Sequence, residues 1–226
     1  INDETLMNAA DLEPKRIVLR HGDWSNVEFL KGFHKHLIEL SIEDDSFNWS
    51  ILPELNFIVK LSVGGWFKCD IDFDKMESLQ YLSTYWNDGY DERLYGAKKL
   101  KALSIQGFKS SNLNELSKLK DLEFLQIFNT RSFESTKGIE KLTRLRRLYL
   151  LNCSSLTDLS SLKQNVNLES LRLENCKKLD SIESVQSCTS LKELNLFHLG
   201  NLKDLSVLSH LNTLKWLVFD TKVHHG

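Results

Sequence analysis

Proline is nearly missing from this chain of 226 residues, occurring only at Pro14 and Pro53. A Pro-rich spacer between independent domains is therefore excluded, and backbone pairing can run through most of the chain uninterrupted. Cysteine is scarce as well. Cys69, Cys153, Cys176 and Cys188 are too few and too unevenly spaced for a disulfide scaffold, so a reducing, cytoplasmic compartment is expected. No apolar run approaches the roughly eighteen residues of a membrane span. No charged-then-apolar leader is present, although a chain beginning at Ile1 leaves an excised leader open. Neither sign of charge dominates: 29 Lys and Arg face 31 Asp and Glu, a formal net charge of -2. A nucleic-acid binder needs a basic face to displace phosphate counterions, and none is expected here. One continuous domain without a membrane partner is the organisation these absences leave.

What is present is a repeat. Leucine-type residues follow the spacing L-x-x-L-x-L at Leu37, Leu40, Ile42; Ile58, Leu61, Val63; and Leu100, Leu103, Ile105. They recur at Leu122, Leu125, Ile127; Leu145, Leu148, Leu150; Leu168, Leu171, Leu173; Leu191, Leu194, Leu196; and Leu214, Leu217, Phe219. Weaker copies begin at Pro14 and Leu79, which makes ten starts: 14, 37, 58, 79, 100, 122, 145, 168, 191 and 214. The spacing between starts is 21 to 23 residues throughout. Within each copy the last two apolar positions alternate with polar ones, the period-two pattern of a strand with one buried face. A single copy carries too few aliphatic side chains to fold alone, so its core must come from stacking on its neighbours. A second apolar series spaced by three, such as Leu156, Leu159, Leu162 and Leu179, Ile182, Val185, matches three residues per turn and predicts 3₁₀ segments in the return.

At these residues the sequence resembles the leucine-rich-repeat family, whose repeats run about 20–29 residues with one short strand each. The resemblance covers nearly the whole chain. It implies an α/β solenoid, a curved horseshoe with a parallel β-sheet on the concave face and short 3₁₀ or helical turns on the convex face. The family places Asn, Cys or Thr eight residues after the first leucine, and here Asn87, Thr130, Cys153 and Cys176 stand there. Cys153 and Cys176 resemble the cysteine-bearing subtype. Residues 1–13 are expected to form an N-terminal cap over the core, followed by a repeat domain over 14–226.

In this family the concave strand residues make the contacts. Forty positions fall outward on the repeat register, two, four, six and seven residues after each start, and eight are aromatic: Tyr81, Tyr85, Trp86, Phe124, Phe128, Tyr149, Phe197 and Trp216. That doubles the 10% aromatic content of the whole chain at positions expected to meet water, which marks a binding surface. The charges on the same face are mixed, with Arg147, Arg172 and Glu174 beside the aromatics, and mixed charge suits a protein partner. Small residues Ser41, Ser62, Ser83 and Ser104 line one column.

No catalytic constellation emerges, and no cofactor is expected. Asp70, Asp72 and Asp74 have the spacing that opens an EF-hand loop, but Lys75 replaces its glycine and Tyr81 its terminal glutamate, so no metal is expected. Cys153 and Cys176, one repeat apart, have the spacing for a disulfide or a shared metal; stacked inward thiols are the simpler expectation. There is no Gly-rich phosphate loop and no paired acid and base. The expected role is non-catalytic recognition of a protein partner, as a monomer or as a heterodimer with that partner. By analogy with the family, an immunity protein neutralising a toxin or effector is the sharper form. The alternative is the ligand-recognition fragment of a larger receptor or ubiquitin-ligase-type protein.

Overall fold

The computed structural model describes residues 13–65, 71–86 and 93–223. The chain forms two compact units, Ile1–Leu100 and Lys101–Gly226. Unit 1 carries strands β1 (Arg16–Leu19), β2 (Glu39–Ile42), β3 (Lys60–Val63) and β4 (Tyr81–Tyr85). Unit 2 carries β5 (Ala102–Gln106), β6 (Phe124–Thr130), β7 (Arg147–Cys153), β8 (Ser170–Glu174), β9 (Glu193–Phe197) and β10 (Trp216–Asp220). In each unit the strands run parallel in chain order, and equivalent repeat positions pair across the ladder: Leu40 with Leu61, Leu125 with Leu148, Leu171 with Leu194. Each strand opens two residues after the start of its sequence copy.

The returns are 3₁₀ segments. Unit 1 has Glu28–Phe33, Trp49–Glu54, Phe73–Lys75 and Leu94–Gly96. Unit 2 has Leu116–Lys118, Ile139–Lys141, Ser160–Gln164, Glu183–Ser187 and Ser206–His210. The spacing-by-three series therefore does what it predicts: Leu113, Leu116, Leu156, Leu162, Leu179 and Val185 are fully buried. Asp158 and Asp204 open two of these segments by accepting the backbone N–H two residues on, from Ser160 at 2.8 Å and Ser206 at 2.7 Å. Such short carboxylates mimic a backbone turn and stop the strand direction from continuing.

The core of unit 2 is a column of aliphatic side chains from strand and return. Leu125, Ile127, Leu148, Leu150, Leu171, Leu173, Leu194 and Leu196 all lie at 0% exposure. Phe108 and Phe133 join them edge to face, with ring centroids 6.0 Å apart. β10 departs from the column, since its Leu217 and Phe219 are 45% and 40% exposed; within unit 2 it pairs with β9.

Eight residues after the starts at 100, 122, 145, 168 and 191, the side chain turns inward and is buried whatever its chemistry: Phe108, Thr130, Cys153, Cys176 and Leu199. The polar members satisfy carbonyls of neighbouring turns. Thr130 Oγ1 donates to the Phe108 carbonyl at 2.5 Å, and the Cys153 and Cys176 thiols lie 3.7 and 3.6 Å from the Ile127 and Leu150 carbonyls. Cys153, Cys176 and Cys188 are free thiols. The stacked arrangement is thus the one adopted, and hydrogen bonding to Cys176 together with burial pushes the Cys153 thiol up. Asn87, Cys69, Asp70 and residues 1–12 of the expected cap lie outside the described residues.

Candidate functional site

The outward face of the unit 2 sheet follows from strand alternation. With Leu148 and Leu150 directed into the core, Arg147, Tyr149 and Leu151 of β7 must point the other way. The register then sets their neighbours: Phe124 beside Arg147, Gln126 beside Tyr149, and Phe128 beside Leu151. On the other side Tyr149 lies beside Arg172 and Leu151 beside Glu174.

The register draws three of the expected contact residues into one cluster. The Phe124 and Tyr149 rings meet edge to face, with centroids 5.1 Å apart and planes at 86°. The Arg147 guanidinium lies over the Phe124 ring, 5.4 Å from its centroid. An edge-to-face pair contributes roughly 0.5–1.5 kcal/mol and an exposed cation–π contact roughly 0.5–1 kcal/mol, so these contacts favour holding the three side chains together. A second group adjoins it. Arg172 donates to one Glu174 carboxylate oxygen from Nε at 3.1 Å and from Nη2 at 2.6 Å, and its guanidinium lies 5.7 Å from the Phe197 ring centroid. Phe124, Phe128, Tyr149, Arg172, Glu174 and Phe197 are all partly exposed. Trp216, at 61% exposure, stands apart on β10, in the row of Arg147 but three strands away.

In unit 1, Tyr81 is 40% exposed and Lys60 Nζ stands 5.2 Å from its ring centroid. Tyr85 is partly exposed. Trp86 corrects the sequence expectation, because it is a core residue only 6% exposed. β4 ends at Tyr85, so strand alternation no longer governs the next residue, and the large indole is drawn inward by its apolar area. Other charges of the unit 1 face pair with one another, Arg16 with Glu39 at 3.0 Å and Arg20 with Glu43 at 2.7 Å. Exposed pairs of this kind contribute about 0–1 kcal/mol each.

Two features of the unit 2 surface escaped the reading of the sequence. Asn129, Asn152 and Asn175 all take φ of 53° and form a ladder, Asn152 Nδ2 donating to Asn129 Oδ1 at 2.7 Å and Asn175 Nδ2 to Asn152 Oδ1 at 2.8 Å. The signal was there in asparagines at 23-residue intervals, each seven residues after a repeat start. The second is a charged row at the strand openings: Arg146 Nη1 to Glu169 at 2.5 Å, and Lys192 Nζ to the same carboxylate at 2.9 Å. Lys192 and Arg146 hold the Glu169 carboxyl below the usual carboxylate range. A shallow polar depression of about 380 Å³ beside this row is lined by Glu123, Arg144, Arg146, Asn167 and Glu169. Among the described residues no cluster of His, Cys, Asp and Glu could hold a metal ion, and no helix is long and apolar enough to cross a membrane.

Parallel ladders of single-strand repeats with 3₁₀ returns define the protein as a leucine-rich-repeat solenoid. Solved structures carry the same fold. An internalin, InlF of Listeria monocytogenes, matches with a TM-score of 0.66 and 24% identity over 96% of this chain and 64% of that one. A leucine-rich-repeat protein of Leptospira interrogans matches with a TM-score of 0.60 and 16% identity over 99% and 70%. TLR13, solved in complex with an RNA named ssRNA13, matches with a TM-score of 0.67 and 21% identity over 94% and 33%. This chain thus spans less than two thirds of InlF and a third of TLR13. At these identities the likeness is one of fold. No family model matches the sequence, and no curated protein does.

Proposed function

We propose that this protein is a non-catalytic recognition module that binds another protein through the outward face of the unit 2 sheet. The observation that carries the proposal is the Phe124–Arg147–Tyr149 cluster, in which two aromatic rings and a guanidinium are held on a strand ladder. Aromatic residues and arginine dominate the energetics of protein interfaces. A surface fixed by sheet pairing loses little conformational freedom on docking, which is the main cost of association that a scaffold can remove. The neighbouring Arg172–Glu174 pair and Phe197 extend the same surface. A face that mixes Arg147 and Arg172 with Glu174, Glu193 and Asp220 is suited to a protein rather than to a polyanion. TLR13 was solved with an RNA, so RNA is the competing class of ligand to test.

The sharper form of the proposal is that the partner is a toxin or effector, which this protein neutralises as an immunity protein in a one-to-one complex. The experiment is capture from the native source with wild-type protein and with a Phe124→Ala, Tyr149→Ala variant of unchanged melting temperature. A protein held by the wild type and lost with the variant supports the reading. Its identification as a toxin, with protection of cells that co-express both, supports the sharper form. A partner retained equally by the variant removes the site from this face.

A further inference from the structure

We infer that Cys153 and Cys176 form a redox-modification site, a dithiol that a small-molecule disulfide such as oxidised glutathione converts into a bridge between β7 and β8 when the repeats part. They are adjacent members of the inward column: Thr130 stands beside Cys153 on one side, and Leu199 follows Cys176 by one repeat. The ladder keeps β7 and β8 in register as far as Leu151 and Glu174, and the Asn152–Asn175 amide bond of 2.8 Å holds the next rung together. Cys153 and Cys176 are therefore one strand spacing apart, about 4.8 Å. That lies inside the Cα separation of roughly 4.4–6.8 Å that a disulfide spans.

Both sulfurs also face the same way. Cys153 Sγ lies 3.7 Å from the Leu151 carbonyl, two residues back, and 3.7 Å from the Ile127 carbonyl. Cys176 repeats the pose one strand on, 3.5 Å from the Glu174 carbonyl and 3.6 Å from that of Leu150. Each thiol is the other's hydrogen-bond partner. The bond from Cys153 holds the Cys176 thiol below its ordinary value, so Cys176 is the sulfur that ionises first and attacks. Cys188 has no such neighbour, since Asn165 and Leu211 stand one repeat to either side of it.

One disulfide suffices as oxidant. The Cys176 thiolate, its proton lost to solvent, attacks oxidised glutathione, forming a mixed disulfide and releasing one glutathione thiolate. Cys153 gives its proton to that thiolate and attacks the Cys176 sulfur, which closes the protein bridge and releases the second thiolate. The second thiolate takes back from solvent the proton that Cys176 lost, so two protein thiols are oxidised as one glutathione disulfide is reduced. Both cysteines are at 0% exposure, and close-packed surroundings keep a buried thiol from an oxidant of this size. Oxidation therefore waits until β7 and β8 open locally, and the bridge records that opening. Once the unit closes again, the same burial shields the bridge from reductant.

The test incubates the full chain with oxidised glutathione in buffer and at its urea midpoint, removes the urea, and maps disulfides by mass spectrometry of the peptides. At the midpoint a Cys153–Cys176 peptide pair is expected to form about tenfold or more faster than in buffer. The bridged protein should regain the native circular dichroism and unfold at higher urea than the reduced one. Cys188→Ala should bridge as wild type does. Cys153→Thr places at this rung the side chain that already serves at Thr130, so it should fold and form no bridge. Thiols left free or as single glutathione adducts overturn the proposal, as does pairing to Cys188 instead or a bridged chain that does not refold. Bridging at equal rates with and without urea overturns the control by opening.

Discussion

Asn152 shows how much a single residue carries in a repeat. It holds a left-handed backbone at φ 53° and both donates and accepts in the amide ladder with Asn129 and Asn175. Asparagine tolerates that conformation because its short side chain can hydrogen-bond locally, whereas a Cβ-branched residue pays about 1–2 kcal/mol for the crowded carbonyl. Asn152→Val is therefore expected to lower stability by about 2–3 kcal/mol once both ladder bonds are lost. Asn152→Gly, which loses the bonds without the strain, should cost about 1 kcal/mol or less; urea denaturation of the two variants checks the order. A second expectation concerns Cys188, whose thiol is buried and pushed up from 9.0 to about 11 by that burial. Below pH about 9 the thiol is protonated both folded and unfolded, and its contribution is whole. As pH rises through about 11 the unfolded chain ionises first, and about 2–3 kcal/mol is lost. Stability of wild type measured from about pH 8 to about pH 12 should fall more steeply than that of Cys188→Ala.

At the scale of the element, the 3₁₀ returns were legible because their apolar residues recur every third position, and Leu156, Leu162, Leu179 and Val185 are buried as that spacing requires. The approach of one return to the next was not legible. Gly138 opens the Ile139–Lys141 segment at φ 101°, and a Cβ there would stand 2.6 Å from the Asn114 nitrogen and 2.8 Å from the Leu113 carbonyl oxygen. Backbone cannot yield as a flexible side chain would. Gly138→Ala is expected to cost roughly 2–4 kcal/mol, from the left-handed φ and the overlap together. Gly32, inside the Glu28–Phe33 segment, meets nothing within 4 Å; Gly32→Ala should be neutral or stabilise by up to about 1 kcal/mol. Guanidinium midpoints of the two variants at unchanged slope test the contrast.

At the scale of the molecule, the same repeat position has different worth in different places. Leu171, Leu194 and Leu217 are register partners across β8, β9 and β10, yet Leu171 is fully buried and Leu217 is 45% exposed. In a stacked architecture each repeat takes its core from both neighbours, so burial depends on what lies on either side. Leu171→Ala should cost about 2–5 kcal/mol, and Leu217→Ala less than about 1 kcal/mol. Thermal melts of both proteins read the difference, and equal losses would contradict the burial of β10 described above.

Periodicity by itself pointed to the fold, because a strand pattern and an apolar spacing of three recur together every 21–23 residues, and units too small to fold alone must stack. It also placed Phe124, Phe128, Arg147, Tyr149, Arg172, Glu174 and Phe197 on one outward face, since alternation obliges the residue beside a buried leucine to point away from it. Tertiary structure decided the rest. Trp86 turned inward where its strand stopped, and the asparagines became a ladder only when their repeats were stacked. Arg147 met the ring of Phe124 on the neighbouring strand, a contact that only pairing supplies, whereas Arg172 met Glu174 two residues along its own strand. The reason is physical: alternation is a property of one strand and is written in its sequence, whereas pairing and burial are properties of neighbours that only the folded chain brings together.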